Sequence, residues 1–229
     1  LNLKSFKEYC DLLENAENND EMGHCINAVT TNLTGFFRES HHFDHLYQSI
    51  TQLVTHSPQQ KRLRIWSCAS SSGQEPYSIA MVARKALERS AHWDTKILAT
   101  DIDTNMLATG AAGQYPEDML EKIPSQYRSY VQSAGRDSGK ILMSPTLQEM
   151  ISFKQLNLLE KWPMKGPFNF VFCRNVVIYF DKPTQRQLFE RIAELIVPNG
   201  FLYIGHSENL FNVSDRFKSV GRTIYQRIK

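Results

Sequence analysis

Leu63-Arg-Ile-Trp-Ser-Cys-Ala-Ser-Ser-Ser-Gly-Gln-Glu-Pro-Tyr-Ser-Ile-Ala-Met-Val-Ala-Arg-Lys-Ala-Leu87 is the stretch that decides the fold. Its first seven residues, to Ala69, form a β-type run, and a Ser/Gly loop follows. Ile79, Val82, Ala83, Ala86 and Leu87 then recur at helical spacing. Strand, small-residue loop and helix make the opening of a βαβ unit, and the downstream sequence repeats the theme. Lys96–Asp101 reads as a second strand, with Asp103 as N-cap of the next helix. Met150–Leu156 alternates like a strand, and Phe168–Cys173 is a third apolar run. A helix is expected over 184–197 from Phe189, Ile192, Ala193 and Ile196, stopped by Pro198-Asn-Gly200. Phe201–Ile204 is a further strand, and Arg216–Val220 with Thr223–Ile228 reads as a terminal hairpin. Strands alternating with helices specify an α/β doubly wound, mostly parallel sheet.

Upstream of this pattern, residues 1–31 carry six acids and two bases, and Phe6, Tyr9, Leu12 and Leu13 fall at helical spacing. We read a short helix, a polar break near 15–20 and a second helix. The stretch 114–149 interrupts the α/β alternation, and its turn-rich part, Ser133–Lys140, followed by Ile141-Leu-Met143, predicts a small β-insert at about 130–150. The expected division is a helical segment over 1–48 and an α/β domain over 49–229.

Composition narrows the function. The chain has 229 residues, 22% charged residues and a formal net charge of +2, so it carries no global footprint for nucleic acid. No apolar run approaches the roughly 20 residues that a membrane helix needs, so no direct membrane insertion is expected. The N-terminus lacks a basic-then-apolar signal pattern, and a cytoplasmic protein is expected. Cys10, Cys25, Cys68 and Cys173 lie far apart without zinc spacing and read as reduced, small hydrophobes. His41 and His45 share a helix face, yet no nearby Cys or second motif completes a metal site, so no metal is expected.

In open α/β sheets ligands sit at the carboxyl ends of the strands. Four stretches therefore carry the chemistry. The Ser70–Gln74 loop has a single glycine, Gly73, which excludes the dinucleotide fingerprint, and it lacks the Lys-Ser/Thr of a P-loop. Glu75, just before Pro76, reads either as a ligand-facing acid or as a carboxylate favoured by a helix N-terminus. Asp101 ends a strand, where an acid can accept hydrogen bonds from both hydroxyls of a ribose; the alternative is an N-cap, a role that Asp103 fills better. Arg174 and Asn175 fall where an apolar strand stops; Arg174 also reads as a solvated turn residue, whereas apolar residues follow Asn175. The fourth stretch, Thr30–Phe43, interleaves hydrogen-bonding groups with phenylalanines and reads equally as a capped helix N-terminus with Phe36 and Phe37 in the core.

Together these stretches resemble the chemotaxis receptor methyltransferase family, CheR. The resemblance rests on Thr31-Asn-Leu-Thr-Gly-Phe-Phe-Arg-Glu-Ser-His-His-Phe43, Ser70-Ser-Ser-Gly-Gln-Glu-Pro-Tyr-Ser-Ile-Ala80, Ala99-Thr-Asp-Ile-Asp103, Phe172-Cys-Arg-Asn-Val-Val-Ile-Tyr-Phe-Asp181 and Gly205-His-Ser-Glu-Asn209, in that order over about residues 25–229. It implies a class I methyltransferase sheet with a terminal antiparallel hairpin, binding S-adenosylmethionine and releasing S-adenosylhomocysteine. The implied activity is that of a protein-glutamate O-methyltransferase acting on the cytoplasmic domain of chemoreceptors, with the chain a monomer. By position, Asn32, Thr34 and Arg38 would face the methionine end of the cofactor, and Glu75 would contact it. Asp101 would hold the ribose, Asn157 and Leu158 would flank the adenine, and Asn175 and Val176 would line the pocket floor. Arg38 and Tyr179 would stand at the reacting centre.

Three departures from the family pattern shape the expectation. Gln74 stands where the family has a first Glu, leaving Glu75 as the acid retained. The N-terminal helical region is shorter than in most members, and the chain begins at Leu1, so a trimmed N-terminus and fewer receptor contacts are expected. The loop 133–140 holds only Gly135 and Gly139, shorter and poorer in glycine than in members that dock a receptor-tail pentapeptide, so independence from that peptide is expected. Two other functions fit the same residues: a methyltransferase of another carboxylate substrate, and a regulatory module that binds the cofactor or its product without turnover.

Overall fold

A computed structural model describes residues 1, 3–14, 19–56, 61–90, 93–135 and 138–229. The expected break near 15–20 lies mostly outside the described residues. Two helices flank it, α1 (Phe6–Glu14) and α2 (Asn19–Val29). Helix α1 buries none of its residues and leaves Phe6 80% exposed. Its Tyr9 hydroxyl donates to Glu21 on α2. Helix α3 (His41–His56) runs through residue 48, so the helical segment and the α/β sheet share an element there.

The sheet is built as the alternation predicts. Its strands are β1 (Arg62–Ser67), β2 (Asp94–Asp101), β6 (Ile151–Gln155), β7 (Phe168–Cys173), β8 (Ile196–Ile204), β9 (Phe217–Gly221) and β10 (Ile224–Arg227), in the order β6-β2-β1-β7-β8-β10-β9. The first five are mutually parallel, and β10 runs antiparallel to both β8 and β9. The chain moves outward from β1 through β2 to β6, then returns to the other side of β1 with β7. That reversal is the topological switch point, where the carboxyl ends of β1 and β7 open a crevice.

Alternating side chains of the strands divide the interior into two cores. Leu63 and Ile65 join Phe43, Leu46, Ile79, Met81 and Phe172 beneath α3 and α4 (Gln74–Ala86). Trp66 and Cys68 join Val171, Leu188, Phe189, Ile192 and Leu202 beneath α7 (Lys182–Leu195). Helix α5 (Thr104–Ala112) starts at Asp103, whose side chain accepts the N–H groups of Asn105 and Met106, as the N-cap reading requires. No helix among the described residues is long and apolar enough to cross a membrane.

Four local expectations are corrected. Helix α7 ends at Leu195 rather than 197, because Ile196 is already extended and pairs with Phe168. Pro198-Asn-Gly200 lies inside β8 as an irregularity, with Asn199 left-handed, instead of ending a helix. The β-insert reaches back to Gln114: β3 (Gln114–Pro116) and β4 (Val131–Ser133) flank β5 (Lys140–Met143), and the 3-10 turns Glu117–Lys122 and Ser125–Tyr130 fill the interval. The short helix α6 (Pro145–Gln148) returns the chain to β6. Residues 30–40, finally, form an irregular loop rather than a capped helix start, although Phe36 and Phe37 are buried as expected.

Truncating a packed aromatic in either core leaves a cavity. Phe189→Ala, at 1% exposure, should lose about 3–5 kcal/mol in urea unfolding. Phe211→Ala, at 79% exposure, should change stability by less than about 0.5 kcal/mol. Equal effects of the two would contradict the assignment of the second core.

Candidate active site

The carboxyl end of β1 is the centre from which the site is built. Just beyond it the Ser70–Gly73 turn folds back on β2: Ser70 N donates to the Thr100 carbonyl, and Ser71 N donates to Asp101 Oδ2 at 2.7 Å. Gly73 is left-handed, and a Cβ there would lie 2.8 Å from both the Gly110 Cα and the Tyr115 hydroxyl, so only glycine lets the turn close. Asp101 Oδ1 accepts the N–H of Asp103. Each Asp101 oxygen thus takes one backbone donor and keeps a lone pair for the crevice. Burial pushes its carboxyl above the ordinary range.

Asp103 does more than cap α5. Its Oδ2 accepts from Thr30 Oγ1 (2.7 Å) and Asn32 Nδ2 (2.8 Å), and the Asn32 carbonyl accepts from Ser71 Oγ. The loop that follows α2 is thereby tied to the ends of β1 and β2. The amide of Asn32 is turned to Asp103 and Thr30, while its backbone faces the crevice loop.

The other end of this loop is held by Arg174. The sequence left a solvated turn open for this residue; it is in fact 6% exposed. Its Nη1 donates to Glu75 Oε2 at 2.8 Å, its Nη2 to the carbonyl of Arg38 at 2.6 Å, and Glu39 Oε2 lies 3.4 Å away. The remaining Glu75 oxygen accepts from Ser67 Oγ. Burial works against the charge on Glu39, but Arg174 and the His206 backbone N–H outweigh it and hold the carboxyl below its usual value. Burial, with help from Arg174 and His41, lowers the His42 pKa to about 3, so this imidazole is neutral at physiological pH. Phe37 and Glu39, on either side of Arg38, both have left-handed backbones, with φ of 52° and 59°. Such strain persists only where the surroundings over-determine it. Here they do: Ser78 Oγ accepts the Phe37 N–H, and Arg174 grips the intervening carbonyl. The Arg38 guanidinium itself donates to the Leu33 carbonyl.

All ten residues that the sequence singled out line one cavity of about 390 Å³: Asn32, Thr34, Arg38, Glu75, Asp101, Asn157, Leu158, Asn175, Val176 and Tyr179. The volume is in the range of small-molecule sites. Leu158 and Val176 supply apolar surface suited to a flat base, and Asp101 supplies acceptors at a strand end suited to a diol, so the residues fit a nucleoside cofactor. Asn157 forms an Asx turn with Leu159 N, and the Leu158 carbonyl accepts from Trp162 and Arg191, which fixes this wall. Leu33, Leu159 and Tyr179 are exposed and form part of the rim. The histidines serve elsewhere: His41 and His42 both meet the Arg222 carbonyl, and His45 meets the Tyr203 hydroxyl. Glu39, His41 and His42 bring ligand-type atoms within 4.8 Å of one another, but the Arg174 cation shares that space. Sequence reasoning assigned no role to Arg174 or to Glu208, which accepts backbone N–H groups beneath Asn175. An acid placed soon after the end of an apolar strand was the available signal for Glu208.

Removing the cation should expose the cost of the buried carboxylates. Arg174→Met should lose about 3–5 kcal/mol in chemical unfolding, and adding Glu75→Gln should recover part of that loss. An unchanged midpoint in the single variant would rule out a buried ion pair at this position.

Comparison with known proteins places this site in a family. The family model described as "CheR methyltransferase, SAM binding domain" matches residues 32–226. A chemotaxis protein methyltransferase 2 of Pseudomonas aeruginosa is 44% identical over 98% of this chain and 79% of its own length. A probable chemotaxis protein methyltransferase of Rhizobium etli is 42% identical over 99% of this chain and 86% of its own. The chemotaxis protein methyltransferase of Escherichia coli is 39% identical over 98% and 77%. The cavity at the switch point lies within the matched region except for Val29, Thr30 and Thr31, and the chain belongs to the CheR methyltransferase family, with S-adenosylmethionine as its cofactor.

Proposed function

We propose that this chain esterifies glutamate side chains on the cytoplasmic domains of chemoreceptors, working as a monomer in the cytoplasm. The observation that carries the reading is the convergence of Arg38 and Tyr179 with the eight other residues on a single cleft at the carboxyl edge of the sheet. Its relatives among chemotaxis protein methyltransferases supply the chemotactic setting, and an exposed rim suits a substrate that is itself a protein.

S-adenosylmethionine, when bound, supplies an activated methyl group. The residues around it have an undemanding chemical task. A glutamate acceptor has a pKa of about 4.3 and is ionised at neutral pH, so no general base is required. What remains is alignment and exclusion of water. Asp101 would anchor the ribose, Asn157 and Leu158 the base, and Glu75 with Asn32 and Thr34 the amino-acid end. Asn175 and Val176 form the floor. Arg38 orients the incoming carboxylate, and Tyr179 shapes its path. Arg38 is already engaged with the Leu33 carbonyl, which tempers its grip on the acceptor and leaves the nucleophile reactive.

The loop 134–139 between β4 and β5 has no length for an extended docking platform, although residues 136–137 lie outside the described residues. Receptor recognition in this reading does without a tail pentapeptide. Calorimetry with such a peptide should give no measurable heat; micromolar affinity would overturn that part.

The central test is transfer of radiolabelled methyl groups to purified receptor cytoplasmic domains, with base-labile label mapping to glutamates. Arg38→Ala should retain cofactor affinity within a few-fold while turnover drops by about 100-fold or more. Label that resists base, or full turnover by Arg38→Ala, would contradict the ester chemistry or the role of Arg38 respectively.

A further inference from the structure

The stretch Gly205-His-Ser-Glu-Asn209 supplies no residue to the cavity lining, yet it lies directly against one wall of it. Glu208 is 5% exposed. Its Oε1 accepts the N–H groups of Val176 (3.1 Å) and Val177 (3.0 Å), and its Oε2 those of Asn175 (3.1 Å) and Gly205 (2.5 Å). One carboxylate therefore satisfies three consecutive backbone donors beyond β7 and one beyond β8. Among the described residues no cation lies within 4.0 Å of it. The arrangement is a backbone nest closed around an internal anion.

The nest has a geometric consequence. Three successive N–H groups can converge on one carboxylate only if the chain turns sharply, and Asn175 does so with a left-handed backbone, φ 56°. The turn carries Asn175 and Val176 onto the cavity floor. Gly205 completes the fit, since a Cβ there would lie 2.4 Å from Asn175 Nδ2 and 2.9 Å from its backbone nitrogen. We infer that Glu208 is a positioning residue for cofactor binding: its carboxylate shapes the Asn175–Val177 turn, and Gly205 leaves the room for it. The inference rests on the proposed placement of the cofactor against Asn175 and Val176.

Glu208→Gln is close to isosteric but replaces one acceptor oxygen with a donor NH2 group. Whichever oxygen is replaced, two N–H groups lose their acceptor and face a donor. S-adenosylhomocysteine, titrated calorimetrically into the folded protein well below its melting temperature, should bind about 10- to 100-fold more weakly. Gly205→Ala, read in parallel, should weaken it in the same sense and covers the case in which Glu208→Gln folds poorly. Asn175→Gly keeps the left-handed backbone accessible while removing the side chain, and should also weaken binding. If Glu208 acts through this turn, adding Glu208→Gln to Asn175→Gly should weaken binding by clearly less than the product of the two single effects. A Glu208 that only stabilises the fold would lower the melting temperature and leave affinity unchanged, or give fully multiplicative losses; either result overturns the inference. If Asn175→Gly binds weakly while Glu208→Gln and Gly205→Ala bind as the parent does, the positioning role fails and the cofactor placement stands. If all three bind as the parent does, the placement fails with it.

Discussion

The site depends on one buried cation. Arg174 leaves the end of β7, meets Glu75 at the start of α4, and reaches the carbonyl of Arg38 and the carboxylate of Glu39 in the preceding loop. The pairing of β1 with β7 and the Phe37–Ser78 hydrogen bond bring these segments near one another, and the guanidinium adds a single buried tie to all three. A planar fork with five donors suits the task, whereas a lysine would meet one acceptor at a time. Pairs of this kind seldom add stability over apolar packing, and what they provide here is a unique arrangement of three chain segments around a cavity.

The loop from Thr30 to Ser40 shows how such an arrangement is held without regular secondary structure. Asp103 fastens its beginning and Arg174 its end, and the two left-handed residues, Phe37 and Glu39, flank the Arg38 carbonyl that Arg174 holds. Strain beside Arg38 is thus offset by ordinary hydrogen bonds to rigid elements. His42 belongs to the same logic. Kept neutral, it packs beside Glu39 and Arg174 without adding a second positive charge to their ion pair.

Much of the fold was legible from period alone. Phe168–Cys173 and Leu63–Ser67 announce buried parallel strands because both faces must be apolar, and Asp103 announces a helix start through its capping chemistry. Every residue named for the cavity lines it, because ligands gather where strand ends meet and the motifs mark those ends. The illegible parts are those set by long-range partners. Whether Arg174 faces a site or solvent stays open in the sequence because its Glu75 partner stands 99 residues away. Strand β3 has three residues and exists only through pairing with β5. The end of α7 and the irregularity around Asn199 depend on the register with β7, which no local pattern encodes.

The carboxylate beneath Asn175 also sets an order of events during synthesis. Asn175–Val177 leave the ribosome well before Glu208, and until that acid arrives three consecutive backbone donors lack the acceptor that they have in the folded chain. The turn that carries Asn175 and Val176 to the cavity thus takes its final shape only when the segment beyond β8 is in place.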